Sequence, residues 1–218
     1  FEKLKKSRPQ HANVHIIGGD LYLATGRNRE AVKEYVQAVQ SGDVNYEVWQ
    51  NLLYLEVQLE QFDDVIKHAD QASELFPNQG MLHYFHGFAH LRKRNYQEAI
   101  GSLEQAKKLS RSDSNFMSDV CNMLGDAYNA TKLYEKSDKA YDEALLLNPN
   151  NFGALNNYSY YLAVRKANLE KAEKMSAQLT KSNPENPTFL DTHAWVLYAR
   201  EKFKEAKKVI ERAISTGN

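Results

Sequence analysis

Apolar residues recur along this chain at intervals of three and four, and small or apolar residues recur again at intervals of 34. Ala31, Val65 and Ala99 lie 34 residues apart, as do Gly19, Leu53 and Gly87. Inside one period, Ala99, Leu103 and Ala106 fall on a single helical face. Pro77, Pro149 and Pro184 sit where helices must end. The pattern predicts an all-α chain of about thirteen helices and no strand, in which antiparallel pairs repeat at a fixed period.

Six units can be read at 12–45, 46–79, 80–113, 118–151, 152–186 and 187–218, with 114–117 as an insertion and 1–11 as the last helix of a truncated unit. The fourth is the most complete: Leu124-Gly125-x2-Tyr128, then Tyr134, Tyr141, Ala144 and Pro149, with Ser137 replacing a small apolar residue. The second has Trp49-x2-Leu52, Phe62, Val65, Ala72 and Pro77, and the first has Gly19-x2-Tyr22, Gly26, Ala31, Tyr35 and Ala38. The third (Gly87, Tyr96, Ala99, Leu103, Ala106) and sixth (Trp195, Phe203, Ala206, Ala213) keep the phase. The fifth (Tyr158, Leu162, Ala172, Pro184) carries one extra residue between Lys166 and Leu169. Small residues let two helices approach, and the aromatics Tyr22, Phe62, Tyr96, Tyr128, Tyr134 and Phe203 are expected to fill the space beside them. One pair cannot hide its apolar face, so neighbours must stack. Phe1, Leu4 and Pro9 occupy the aromatic, small-apolar and proline positions of the truncated unit, so the chain reads as a fragment that starts mid-repeat.

This pattern resembles the tetratricopeptide repeat family, over essentially the whole chain. The resemblance implies a right-handed α-solenoid of stacked antiparallel helix pairs, a single array over 1–218, used as a scaffold for binding other proteins. It also implies which residues line the groove, through the second, fifth, ninth, twelfth and thirteenth positions of each first helix. In this chain they are Ile16, Asp20 and Leu23; Glu47, Gln50 and Tyr54; Met81, Tyr84, Phe88, Leu91 and Arg92. The later units supply Asp119, Asn122, Asp126 and Asn129; Asn156, Tyr160 and Val164, with Asn157 adjacent; and Asp191, Trp195 and Tyr198. The family's clamp for a C-terminal carboxylate uses Lys or Arg with Asn, whereas matching positions here hold Asp126, Met81 and Phe85, and Arg92 is the one basic residue in the expected groove. The implied ligand is therefore a neutral or basic peptide rather than an acidic one. The last two units, with Leu155-Asn156-Asn157-Tyr158 and Ala194-Trp195-Val196-Leu197-Tyr198, resemble those of bacterial tetratricopeptide proteins, many of them exported lipoproteins. That implies a bacterial source and favours a cell-envelope location.

Charge and composition narrow the choice further. Lys and Arg number 28, as do Asp and Glu, and no basic stripe interleaved with aromatics appears, so a nucleic-acid partner is not expected. No apolar run approaches the roughly 20 residues needed to cross a bilayer. Cys121 cannot form an internal disulfide and takes a packing position, where it reads as a small buried hydrophobe. The polar stretch Ser110 to Asn115 lengthens the spacing before the fourth unit, as a longer loop or an extra helical turn, with Asp113 or Ser114 as N-cap.

His83, His86 and His90 share a helical face, a spacing available to a metal, but their positions point into helix packing and they are expected to be core residues. No nucleophile has a base at readable spacing, so no catalytic, cofactor or metal site is expected. The expected role is a protein-protein interaction module whose groove holds a peptide or helix of a partner; the alternative is a structural or oligomerising spacer in a larger protein. Asn side chains there offer donor and acceptor together, and Tyr54, Tyr84, Phe88, Tyr160, Trp195 and Tyr198 offer flat apolar area.

Overall fold

The computed structural model describes residues 2–8, 11–42, 44–110 and 113–216, and among these it contains thirteen helices and no strand. Phe1 and Pro9, assigned above to a truncated unit, and Arg111 and Ser112 of the polar stretch lie outside the described residues. Contacts cluster into two compact units, 1–111 and 112–218. The first unit holds α1 (Glu2–Ser7) and the pairs α2 (Ala12–Ala24) with α3 (Asn28–Ser41), α4 (Tyr46–Gln58) with α5 (Phe62–Leu75), and α6 (Gly80–Arg92) with α7 (Tyr96–Leu109). The second holds α8 (Ser114–Ala130) with α9 (Tyr134–Leu147), α10 (Phe152–Arg165) with α11 (Leu169–Ser182), and α12 (Pro187–Ala199) with α13 (Phe203–Thr216).

Helix starts follow local chemistry. Asn45, Asn151 and Asn186 cap α4, α10 and α12, their side-chain oxygens accepting from Val48, Ala154 and Phe189 backbone N–H groups at 3.2, 3.0 and 3.2 Å. Asp113 caps α8 by accepting from Asn115 and Phe116 at 3.0 Å each. That cap lets the four inserted residues, Ser114 to Met117, form the first turn of a 17-residue helix rather than a loop. Met117 is buried at the end of that turn, and the buried Ser118 hydroxyl donates to the Ala144 carbonyl at 2.7 Å.

Inside every pair the chain reverses through a left-handed residue: Gly26, Glu60, Arg94, Lys132, Lys166 and Glu201 all have φ between 52° and 72°. In the fifth repeat Asn168 is left-handed too, which absorbs the extra residue. A side chain in this region costs about 1 kcal/mol or more, of which the freer unfolded state of glycine gives part back. Lys132→Gly is expected to gain about 0.5 kcal/mol in urea denaturation. A loss would assign a structural role to the lysine side chain.

Each unit has its own core. In the first, Tyr35, Leu52, Leu53, Val65 and Leu82 are sealed from solvent; in the second, Cys121, Tyr141, Tyr158, Leu162 and Leu179. Ser137, also buried, replaces a small apolar residue without penalty because its hydroxyl donates to the Gly125 carbonyl at 2.8 Å. Two of the expected gap-filling aromatics do not fill gaps: Phe203 is 56% exposed and Tyr134 40% exposed. Tyr134 instead carries the Arg165 guanidinium 4.8 Å from its ring centroid.

Candidate functional site

Two glycines decide what reaches the first-helix face. A Cβ on Gly19 would lie 2.5–2.8 Å from ring atoms of Tyr35, and one on Gly125 would lie 2.7–2.8 Å from those of Tyr141. Each tyrosine ring thus lies against the bare backbone of the facing first helix, and its hydroxyl emerges beside the next residue along. Tyr35 donates to Asp20 at 2.7 Å and Tyr141 to Asp126 at 2.5 Å. The Asp126 carboxylate also accepts from the Asn157 amide at 3.1 and 3.2 Å and from Tyr161. Burial nonetheless raises its pKa to about 6, because three hydrogen-bond donors do not replace the lost water.

Each unit carries one aromatic cavity on this face. In the first unit Glu47, Gln50, Asn51, Tyr54, Met81, Tyr84 and Phe88 line about 480 Å³. In the second, Tyr160, Asp191, Trp195 and Tyr198 meet Phe203, Lys207 and Ile210 around about 580 Å³. Trp195 stacks on Tyr198 with ring centroids 5.7 Å apart, and Phe203 meets Tyr198 edge-on at 5.4 Å. Sequence reasoning missed Phe203, Lys207 and Ile210 because they belong to α13, a second helix, and the implied groove counted first helices alone. The exposed apolar positions of that helix were the available signal.

Several asparagines of this face are engaged with their own neighbours. Asn157 is committed to Asp126, and the Asn156 amide donates to the Asn157 oxygen at 3.3 Å. The side-chain oxygens of Asn122, Asn129 and Asn156 are buried and accept no hydrogen bond, so these amides turn their oxygens into the wall rather than outward. Arg92 lies 3.8 Å from Glu60 and over the Phe62 ring at 5.6 Å, which draws its charge toward the turn after α4.

His83, His86 and His90 are half-buried rather than core. His86 bridges Asp70 on α5 (3.2 Å) and Ser102 on α7 (2.7 Å), with the His90 ring 4.4 Å away. Burial lowers the pKa of all three, opposed by Asp70. Ser102, His86 and Asp70 form a line, yet the serine hydroxyl has the Glu98 carbonyl at 3.0 Å as acceptor, the reverse of the polarity an activated nucleophile needs. Among the described residues no group of three His, Cys, Asp or Glu side chains is arranged to hold a metal ion, and no helix is long and apolar enough to cross a membrane.

Stacked helix pairs with a cavity on the first-helix face of each unit define a helical-repeat scaffold. Tetratricopeptide repeat family models match residues 51–114 and 118–151. The chain thus carries tetratricopeptide repeats over these residues. A TPR repeat-containing protein of Pseudomonas aeruginosa is 25% identical over 194 residues, which cover 84% of this chain but 30% of that relative's length. A solved tetratricopeptide repeat protein from Parabacteroides merdae superposes with a TM-score of 0.77 at 13% identity, covering 94% of this chain and 79% of that one. MamA of Desulfovibrio magneticus RS-1 gives 0.68 at 20% identity, over 78% and 93% of the two chains. YrrB, described as a TPR protein with an unusual peptide-binding site, gives 0.63 at 19% identity, over 84% and 91%. These likenesses show the fold.

Proposed function

We propose that this chain is a non-catalytic protein-protein interaction module, an adaptor or assembly scaffold whose first-helix faces hold a peptide or helix of a partner protein. Within this reading the repeats run 12–45, 46–79, 80–113, 118–151, 152–186 and 187–218. The observation that carries it is the pair of aromatic cavities, one per unit, each opening beside solvent-exposed rings: Tyr54 is 52% exposed, Trp195 45% and Tyr198 55%. Large apolar rings left in water cost free energy that a partner's apolar side chain recovers. Glu47 and Asp191 stand at the two cavities, and Asp20 at the Tyr35 hydroxyl. These carboxylates favour a neutral or basic ligand over an acidic one. The peptide-binding site named for YrrB supports the reading by analogy of fold.

The test starts from peptides selected on the wild-type chain from a random display library. For one such peptide, Trp195→Ala or Tyr54→Ala is expected to cost about 2 kcal/mol of binding, as anchors at interfaces do. Thermal stability should move less than binding, because both rings are about half exposed. Asn156→Ala should cost less than either, because its amide is turned toward Asn157 and the wall rather than toward a ligand. Unchanged binding in both aromatic variants would place the interaction off this face and bring the spacer reading forward.

A further inference from the structure

Gly19, Asp20, Tyr35 and Asn51 of the first unit recur at one constant offset as Gly125, Asp126, Tyr141 and Asn157 of the second. The shared network is a carboxylate on a first helix, a tyrosine hydroxyl threaded past a glycine, and an asparagine from the next repeat. Asn51 hydrogen-bonds the Tyr35 hydroxyl, whereas Asn157 has moved onto the Asp126 carboxylate itself. A fifth position separates the copies: Tyr161 adds a donor to Asp126, and its counterpart in the first unit is Leu55, buried and without one. The second copy is therefore closed, its carboxylate half-buried under three donors. The first is open: Asp20 is exposed, with the Tyr35 hydroxyl as its hydrogen-bond donor.

The open copy is also doubly acidic. Burial pushes the pKa of the Tyr35 hydroxyl up, and the Asp20 and, more weakly, Glu47 carboxylates act in the same direction. Glu47 and Asn51 belong at the same time to the wall of the 480 Å³ cavity, so the acidic patch and the apolar cavity adjoin. The basic residue of that face, Arg92, is drawn to Glu60 and Phe62 and does not neutralise them.

Resting on the peptide-binding reading above, we propose that Asp20, aimed by Tyr35 and reinforced by Glu47, is a specificity-determining contact that takes a lysine or arginine side chain of the ligand, next to an apolar residue seated in the Tyr54–Tyr84–Phe88 cavity. A carboxylate already oriented by one hydroxyl gives a charge-assisted hydrogen bond to a cationic donor with little further ordering. Asp126 lacks this role because its acceptor capacity is spent within the protein.

The probe is a random 12-residue peptide library displayed on phage and selected on the full chain at low salt. Selected sequences are expected to hold Lys or Arg at a fixed spacing from an aromatic or aliphatic residue. For one synthesised peptide, Asp20→Asn should weaken binding about tenfold; the substitution keeps an acceptor for Tyr35, so circular dichroism should match wild type. Replacing the peptide's basic residue by Met should cost the same factor on the wild type and almost nothing on Asp20→Asn. Asp142→Asn, an equal charge change on α9, should leave affinity unchanged. Selected peptides without a basic preference, or a basic-to-Met cost that is equal on wild type and Asp20→Asn, would overturn the assignment while leaving peptide binding intact. Failure to select any peptide would overturn both.

Discussion

Alanine at Gly125 is expected to remove about 3 kcal/mol from the stability of the 112–218 unit, although alanine is the better helix former. The added Cβ would lie 2.7–2.8 Å from three ring atoms of Tyr141, well inside contact distance. That ring has nowhere to retreat: it is fully buried, stacks on Tyr158 at 4.8 Å and 13°, and is pinned by its 2.5 Å bond to Asp126. Overpacking of this kind costs about 1–3 kcal/mol, and displacing the hydroxyl from a carboxylate adds a comparable share. Gly101, exposed in the middle of α7, has nothing within 4 Å of its own virtual Cβ, so Gly101→Ala should gain about 1 kcal/mol from helix propensity. Urea denaturation of the full chain, followed by probes in each unit, reads both, since two compact units need not unfold in one step. A Gly125→Ala chain as stable as wild type would show that the Tyr141 ring swings aside at low cost, and the account of how its hydroxyl reaches Asp126 would fall with it.

The glycine pair also marks where sequence reading stops. Positions that only pack, such as Ala31, Val65 and Ala99, repeat because close helix approach leaves one solution, and their 34-residue spacing carries the all-helical fold without knowledge of any contact. Gly19 and Gly125 read from the same pattern as helix-approach residues. Nothing in the spacing says that a tyrosine sixteen positions later will use the gap to deliver a hydroxyl to the neighbouring aspartate, because that depends on χ angles, not on register. The positions expected to line the groove were legible as first-helix residues, and none of them is fully buried. Their pairing was not. Whether an asparagine faces a ligand or its own neighbours is settled by local donors, as with Asn157 on Asp126. The inserted turn of α8 depended on Asp113 being an effective cap, a balance the sequence leaves open between loop and helix. His83, His86 and His90 were read as core from register alone. In the structure Asp70 and Ser102 reward keeping His86 partly wet, since an imidazole with two polar neighbours gains little from full burial.

Asp126 makes the second unit's stability fall as pH rises, the opposite of the ordinary carboxylate effect. Burial raises its pKa in the folded chain to about 6, against an ordinary value of 3.8, so between those two pH values the folded state binds the proton more tightly than the unfolded state. Stability is then fullest below about pH 4 and declines through pH 6. A difference of about two pK units corresponds to about 3 kcal/mol at most. The histidines of α6 pull the other way in the first unit: their lowered pKa values mean that stability is lost as pH drops below about 6.5. Only a comparison with a variant isolates the aspartate. Asp126→Asn has no charge to bury and still accepts from Tyr141, so the wild-type-minus-variant difference should slope downward by about 2–3 kcal/mol from pH 4 to pH 7, with the variant the more stable at pH 7. The gain at neutral pH should be smaller than the full linkage value, because an amide replaces one acceptor oxygen by a donor and gives up a bond from Asn157 or Tyr161. Denaturation midpoints of the 112–218 unit across that range provide the measurement. A difference that is flat with pH would mean that water or the three donors hold the carboxylate ionised at no cost. A difference that slopes upward would mean that the three donors stabilise the charge by more than burial costs it.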